Sequence, residues 1–177
     1  MCALWFAGVP APLVQAQPAA YPAPVERDFV ARDVRFDSGE VAPEIRLHYR
    51  TIGQPRKDAD GVVRNAVLIL HGTGGTGAGF VSPGYAGLLF GAGQLLDATK
   101  YFIILPGQFG NGVSTSPSNA AAPFEKGAFP SVTHADDARA QHKLVTEQFG
   151  IEQLLLWRRC LPLGRRHRDG SLRGHNS

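Results

Sequence analysis

Ala66-Val67-Leu68-Ile69-Leu70-His71-Gly72-Thr73-Gly74-Gly75 is the stretch that decides the fold. Five apolar residues without a charge end abruptly in His-Gly and a cluster of glycines. A run of this length, bounded by turn formers, predicts a strand buried on both faces, as strands of a parallel sheet are. The glycines behind it let the backbone turn sharply and leave N–H groups uncovered. At the carboxyl end of a parallel strand such groups bind and polarise ligands.

Upstream, Phe29 to Phe36 alternates apolar Phe29, Ala31, Val34 and Phe36 with Arg32, Asp33 and Arg35. Ile45 to Ile52 alternates Ile45, Leu47 and Tyr49 with Arg46, His48 and Arg50. With the Ser38-Gly39 turn between them, these segments predict an antiparallel hairpin, a common edge of an otherwise parallel sheet. Gln54 to Asn65 is polar, contains Asp60-Gly61, and is expected to be a loop.

Downstream, Leu95 and Leu96 suggest a short helix near residues 93–99. Tyr101 to Leu105 is again uninterrupted and apolar, a second central strand ended by Pro106-Gly107. The turn-rich segment 109–119 then belongs at the same sheet end as the His-Gly turn, because both follow neighbouring parallel strands. Thr133 to Phe149 reads as a helix. Thr133 with Asp136 resembles a capping box with an acid in place of the usual Glu, and Gly150 stands where the helix should stop. The spacing of Ala138, Gln141, Val145 and Phe149 supplies its inner stripe. Ile151 to Trp157 is the third central strand. Alternating strands and helices make a doubly wound α/β pattern.

The chain has 177 residues, 44% of them hydrophobic and 19% charged, which fits one globular domain with a core. The net charge of +3 is uneven: residues 158–177 hold six arginines and one aspartate, so residues 1–157 are mildly acidic. That argues against a nucleic-acid-binding domain. Cys2 and Cys160 show no CxxC or Cys/His spacing, so neither a disulfide framework nor a metal site is expected. The glycines of residues 72–77 are not followed by Gly-Lys-Ser/Thr, which argues against a phosphate loop.

Leu4 to Val14 is apolar but too short to span a bilayer, and Val14-Gln15-Ala16 offers small residues at a signal-peptidase spacing. No Lys or Arg precedes it. Residues 1–16 are therefore expected to be a secretory signal whose first residues were lost to a wrong start codon. The protein would be secreted or periplasmic, the alternative being a cytoplasmic protein with a ragged terminus. Residues 17–28, rich in Pro and Ala, are expected to be a linker. The first ordered domain would then span residues 29–157.

Phe109-Gly110-Asn111-Gly112-Val113-Ser114-Thr115-Ser116-Pro117-Ser118-Asn119, then Phe129-Pro130, then the run from Asp137 to Ile151, closely resembles the homoserine O-acetyltransferase-like branch of the α/β-hydrolases. The resemblance extends from about Phe29 to Leu156. It implies the α/β-hydrolase fold. It also implies acyl transfer or ester hydrolysis by a serine on a sharp turn after the third central strand, with a carboxylate and a histidine far downstream. The partner would be a small-molecule acyl donor or ester, with no bound cofactor or metal. The oxyanion would be held by the N–H after the serine and by one from the His-Gly loop, where Thr73 matches by position within His71, Gly72 and Gly74.

The elbow is absent from this sequence. After Leu156 it reads Trp157-Arg158-Arg159-Cys160-Leu161-Pro162. A strand enclosed between two helix layers is not expected to continue into Arg-Arg, and Pro162 removes an N–H near the start of the expected elbow helix. Read one base forward from Trp157, codon degeneracy permits Gly-Val-Gly-Ala-Ser-Leu, with a serine in the slot of Leu161. Residues 158–177 are accordingly expected to be an out-of-frame, disordered tail replacing the C-terminal half. No catalytic side chain is assigned: Ser171 follows no strand, and the tail's His167 and His175 are given no role. The chain is expected to be an inactive fragment that leaves its third central strand as an unpaired apolar edge. The rival expectation is a secreted, non-catalytic binding protein on the same scaffold. His71 is read as shaping its loop, and Asp136 and Asp137 as charges at a helix N-terminus. Ser114 and Ser116 are read as turn residues, His142 as a surface or half-buried helix residue, and His134 as a residue near the helix start, where a cation is poorly placed against the dipole.

Overall fold

A computed structural model describes residues 20–72 and 74–159. The expected signal segment, the first residues of the expected linker, Thr73 and the tail from residue 160 lie outside the described residues. Five strands form one sheet in the order β1-β2-β4-β3-β5: β1 (Val25–Arg35), β2 (Val41–Ile52), β3 (Ala66–Leu70), β4 (Phe102–Pro106) and β5 (Leu156–Arg159). β1 and β2 pair antiparallel, as do β2 and β4, whereas β3 runs parallel to both β4 and β5. The edge hairpin and the parallel centre are those that the sequence predicts.

β3 and β4 have every residue buried because the sheet is packed on both faces. Leu68, Leu70 and Ile104 face one core with Leu144, Val145 and Ile151. Val67, Ile69, Ile103 and Leu105 face the other, with Phe80, Ala86 and Phe90. Alternate residues of each apolar run thus serve opposite layers. The hairpin has only one covered face. Phe29, Ala31, Ile45, Leu47 and Tyr49 point into the core. Across its other face Arg50 pairs with Glu26 at 2.7 Å and Arg46 with Asp28 at 3.1 Å.

Two helices flank the sheet, α1 (Pro83–Leu89) and α2 (His134–Lys143). α2 opens with the predicted capping box: Asp136 N–H donates to Thr133 Oγ1 at 3.2 Å and Thr133 N–H to Asp136 Oδ2 at 2.8 Å. A π-helical turn over Leu144–Gln148 follows, and Gly150, at φ +62°, ends it.

Four boundaries differ from the sequence reading. β1 begins at Val25, so residues 25–28 belong to the hairpin rather than to a linker. Their register against Tyr49, Arg50 and Thr51, with the Glu26 and Asp28 ion pairs, holds them there. The helix expected over residues 93–99 is absent and α1 lies earlier. Asp97 takes the Gly93 and Thr99 amides at 2.8 and 2.9 Å, which folds that segment into turns. The third central strand starts at Leu156 rather than Ile151, because the Ile151 amide is committed to Val145 O at 3.1 Å. It also runs on through Arg158 and Arg159, paired with Ile69 and Leu70, so the strand passes the expected tail boundary at residue 158. β5 is the outermost strand on that side among the described residues.

Candidate functional site

The loops after β3 and β4 meet at the carboxyl ends of those parallel neighbours. His71 continues β3 and is buried, at 3% exposure. Its Nδ1 lies 2.9 Å from Gly72 O, so the ring folds back on its own loop, as the sequence reading expects. Its Nε2 is buried without a hydrogen-bond partner among the described residues. Gly75 N–H donates to Gly72 O at 3.0 Å, closing a tight turn. Gly74 sits in that turn at φ +76°, a conformation that L side chains rarely adopt. The turn's own bond uses Gly75 N–H and Gly72 O, not the Gly74 amide. The structure brings His71, Gly72 and Gly74 together in this turn, and Thr73, the position matched to the oxyanion donor, lies outside the described residues.

The second loop is tied to the first. Gln108 Nε2 donates to His71 O at 3.4 Å and Asn111 Nδ2 to Gly75 O at 3.4 Å. α2 supports it from beneath. Asp137 Oδ1 accepts the Phe109 amide at 3.0 Å in a buried bond, and Gln141 Nε2 donates to Gly107 O at 3.4 Å. Burial pushes the Asp137 carboxyl above its ordinary value, against the Phe109 amide, which pulls it down. Asp136 is different. Burial also acts to raise it, but the Thr133 amide and hydroxyl, the Asp37 amide and Arg139 together hold it below the ordinary value.

A cavity of about 410 Å3 opens beside Asp137, lined by Leu68, Leu70, Gln108, His134, Gln141 and Val145 among others. His142 also borders it and is exposed.

Ser114 and Ser116 are buried, and their hydroxyls serve the fold. Ser114 Oγ accepts the His48 amide at 3.1 Å, and Ser116 Oγ bonds Ser118 Oγ at 3.0 Å. Among the described residues no group of three or more His, Cys, Asp or Glu side chains is arranged to hold a metal ion. No described helix is long and apolar enough to cross a membrane. Sequence reasoning missed the roles of Gln108, Asp137 and Gln141. The available signal was polar residues at i and i+4 on the helix face that continues into Leu144 and Val145.

No protein family model matches the chain. It is 37% identical to an ethyl acetate hydrolase of Pseudomonas veronii over 68% of this chain and 32% of that protein. It is 32% identical to a homoserine O-acetyltransferase of Thermobifida fusca, over 66% of this chain and 32% of that enzyme. Among solved structures, the acetyl esterase MekB superposes with a TM-score of 0.66 at 32% identity, covering 76% of this chain and 36% of the esterase. The chain therefore spans about a third of the length of these relatives. It is a homologue of esterases and homoserine O-acetyltransferases and carries part of their α/β-hydrolase fold.

Proposed function

We propose that this chain supplies the oxyanion-stabilising part of an acyl-transfer site. In the whole protein that site would act on a small ester or acyl donor through a serine, a histidine and a carboxylate. The observation that carries this reading is the turn at the carboxyl end of β3. A buried His71 and the positive-φ Gly74 hold a tight loop there, beside the strand β5 that runs parallel to β3. A tetrahedral oxyanion needs N–H donors fixed in advance at about 2.7–3.1 Å from its oxygen, and a rigid glycine turn provides such donors at no cost of reorganisation during the reaction. The relatives named above, an ethyl acetate hydrolase and an O-acetyltransferase, perform chemistry of that kind.

The chain by itself turns over no ester in this reading, because the described serines with assigned roles are spent on the fold and a nucleophile without its base is too weak. Transfer and hydrolysis differ only in whether water or another hydroxyl reaches the acyl-enzyme. Two measurements test the proposal. The purified chain mixed with a chromogenic acetyl ester releases no burst of product, and a burst of one equivalent overturns the absence of a nucleophile. Residues 25–156, grafted into the Pseudomonas veronii hydrolase in place of its matched segment, preserve ester cleavage. A folded graft without activity overturns the assignment of the β3 turn.

A further inference from the structure

Asp137 and Gln141 stand one turn apart on the buried side of α2. Each grips the backbone immediately after β4: Asp137 holds Phe109 N–H at 3.0 Å and Gln141 reaches Gly107 O at 3.4 Å. Between those two residues, Gln108 sends its amide the other way, to His71 O at 3.4 Å. Gly107, Gln108 and Phe109 thus form a bridge whose ends belong to the helix and whose middle belongs to the turn after β3. We infer that Asp137 and Gln141 are positioning residues for the His71–Gly75 turn, acting through this three-residue bridge.

The choice of side chains supports a positioning role over simple packing. A buried carboxylate is costly to desolvate, and an apolar residue would seat the helix on the sheet at no such cost. The next inward positions, Leu144 and Val145, do seat it that way. Asp137 and Gln141, the polar side chains of the inner face that do not serve the cap, both bond the loop after β4. The bridge is also fixed from its far side. Gly107 N–H donates to His48 O at 2.7 Å, and a Cβ at Gly107 would lie 2.7 Å from Ser114 Oγ. Pinned against β2 and gripped by α2, the bridge has little freedom, so the place of Gln108 and of the turn it holds follows the helix. The value of that restraint for catalysis rests on the acyl-transfer reading, since oxyanion donors lose effect when misplaced by about an ångström. The restraint itself does not rest on that reading.

Backbone amide NMR of the full chain tests the inference without any ester. In D137A, exchange at the Phe109 amide rises by about tenfold or more, and the Gly72, Gly74 and Gly75 resonances shift while those of the β3–β4 core stay. D137N keeps a carbonyl acceptor and returns both signals towards the parent. Q108A moves Gly72, Gly74 and Gly75 but leaves Phe109 protected. A folded D137A whose Gly72, Gly74 and Gly75 resonances do not move overturns the inference. If D137A does not fold, Q141A and Q108A make the same comparison, and unmoved glycine resonances in both overturn it. An inactive graft in the Pseudomonas veronii hydrolase alongside these shifts would remove the catalytic reading and leave the bridge intact.

Discussion

Thr133 and Asp136 bond each other reciprocally at the start of α2, and Asp37, from the β1–β2 turn, joins them: its Oδ2 lies 2.7 Å from Thr133 Oγ1. One hydroxyl therefore caps a helix and fastens it to the edge hairpin. T133A loses the cap and the tie together. The expected loss is about 1–2 kcal/mol, the upper part of the range for a lost N-cap. T133S keeps the oxygen and most of the stability. Urea unfolding of both variants checks the difference.

Asp137 makes a pH-dependent contribution of the opposite sign to that of most carboxylates. Its folded pKa is raised by burial. Such a group favours the folded state most at pH below its unfolded value, and that contribution is lost as pH rises through the folded value. D137N keeps an oxygen for the Phe109 amide without a buried charge. It is expected to be at least as stable as the parent at neutral pH, with the gap closing in acid. Denaturation midpoints across that range decide the point.

Asp97 behaves in the usual direction. The Thr99 hydroxyl, with the Gly93 and Thr99 amides, holds its carboxyl down from 3.8 to about 2. A depressed folded value means that the stabilisation is present above the unfolded pKa and is lost as pH falls through the folded one. Acid should therefore loosen residues 91–99 as pH drops from 3.8 towards about 2. D97N lacks this step. Amide exchange at Gly93 and Thr99, followed against pH, reads it directly.

Ile104 lies at the centre of β4 with no exposure, between the hairpin and β3. I104A leaves a cavity where collapse is hardest, and about 2–5 kcal/mol is the expected cost. Val30, 42% exposed on the outer face of β1, is the control. V30T is expected to change stability by no more than about 0.5 kcal/mol. Thermal or chemical melts of the pair measure the contrast.

The elements legible in the sequence are those whose side chains meet partners close in the chain or meet only apolar surface. β3 and β4 declared themselves because both faces are buried, and the hairpin did so through its alternation. The capping box was legible because its four partner atoms lie within four residues. The helix stripe was read only in part. Gln141 and Val145 are buried, but Ala138 is exposed, with Ala140 and Leu144 taking the inner face. The π-helical turn then rewinds the chain, so that Phe149 reaches the rings of Tyr49 and Phe102 at 5.6 and 5.1 Å. No periodicity of 3.6 could show that. Residues 93–99 depart from the expected helix because a single aspartate, Asp97, redirects the local amides. The sequence presents Asp137 and Gln141 as helix charge and helix spacing. Their partners lie 28 and 34 residues away in the backbone of a loop, and backbone partners leave no trace in side-chain pattern.

The placing of β4 between β2 and β3 has a kinetic consequence. β3 emerges from synthesis more than thirty residues before β4 is available to pair with it, apolar on both sides and without a neighbour on either edge. Its other partner, β5, arrives later still. Until β4 slots in, the hairpin and β3 cannot join, so the nascent chain presents a bare apolar strand through much of its assembly. The speed with which β4 docks therefore governs whether the chain folds or clumps, and substitutions in β4 should change soluble yield more than their effect on equilibrium stability alone would suggest.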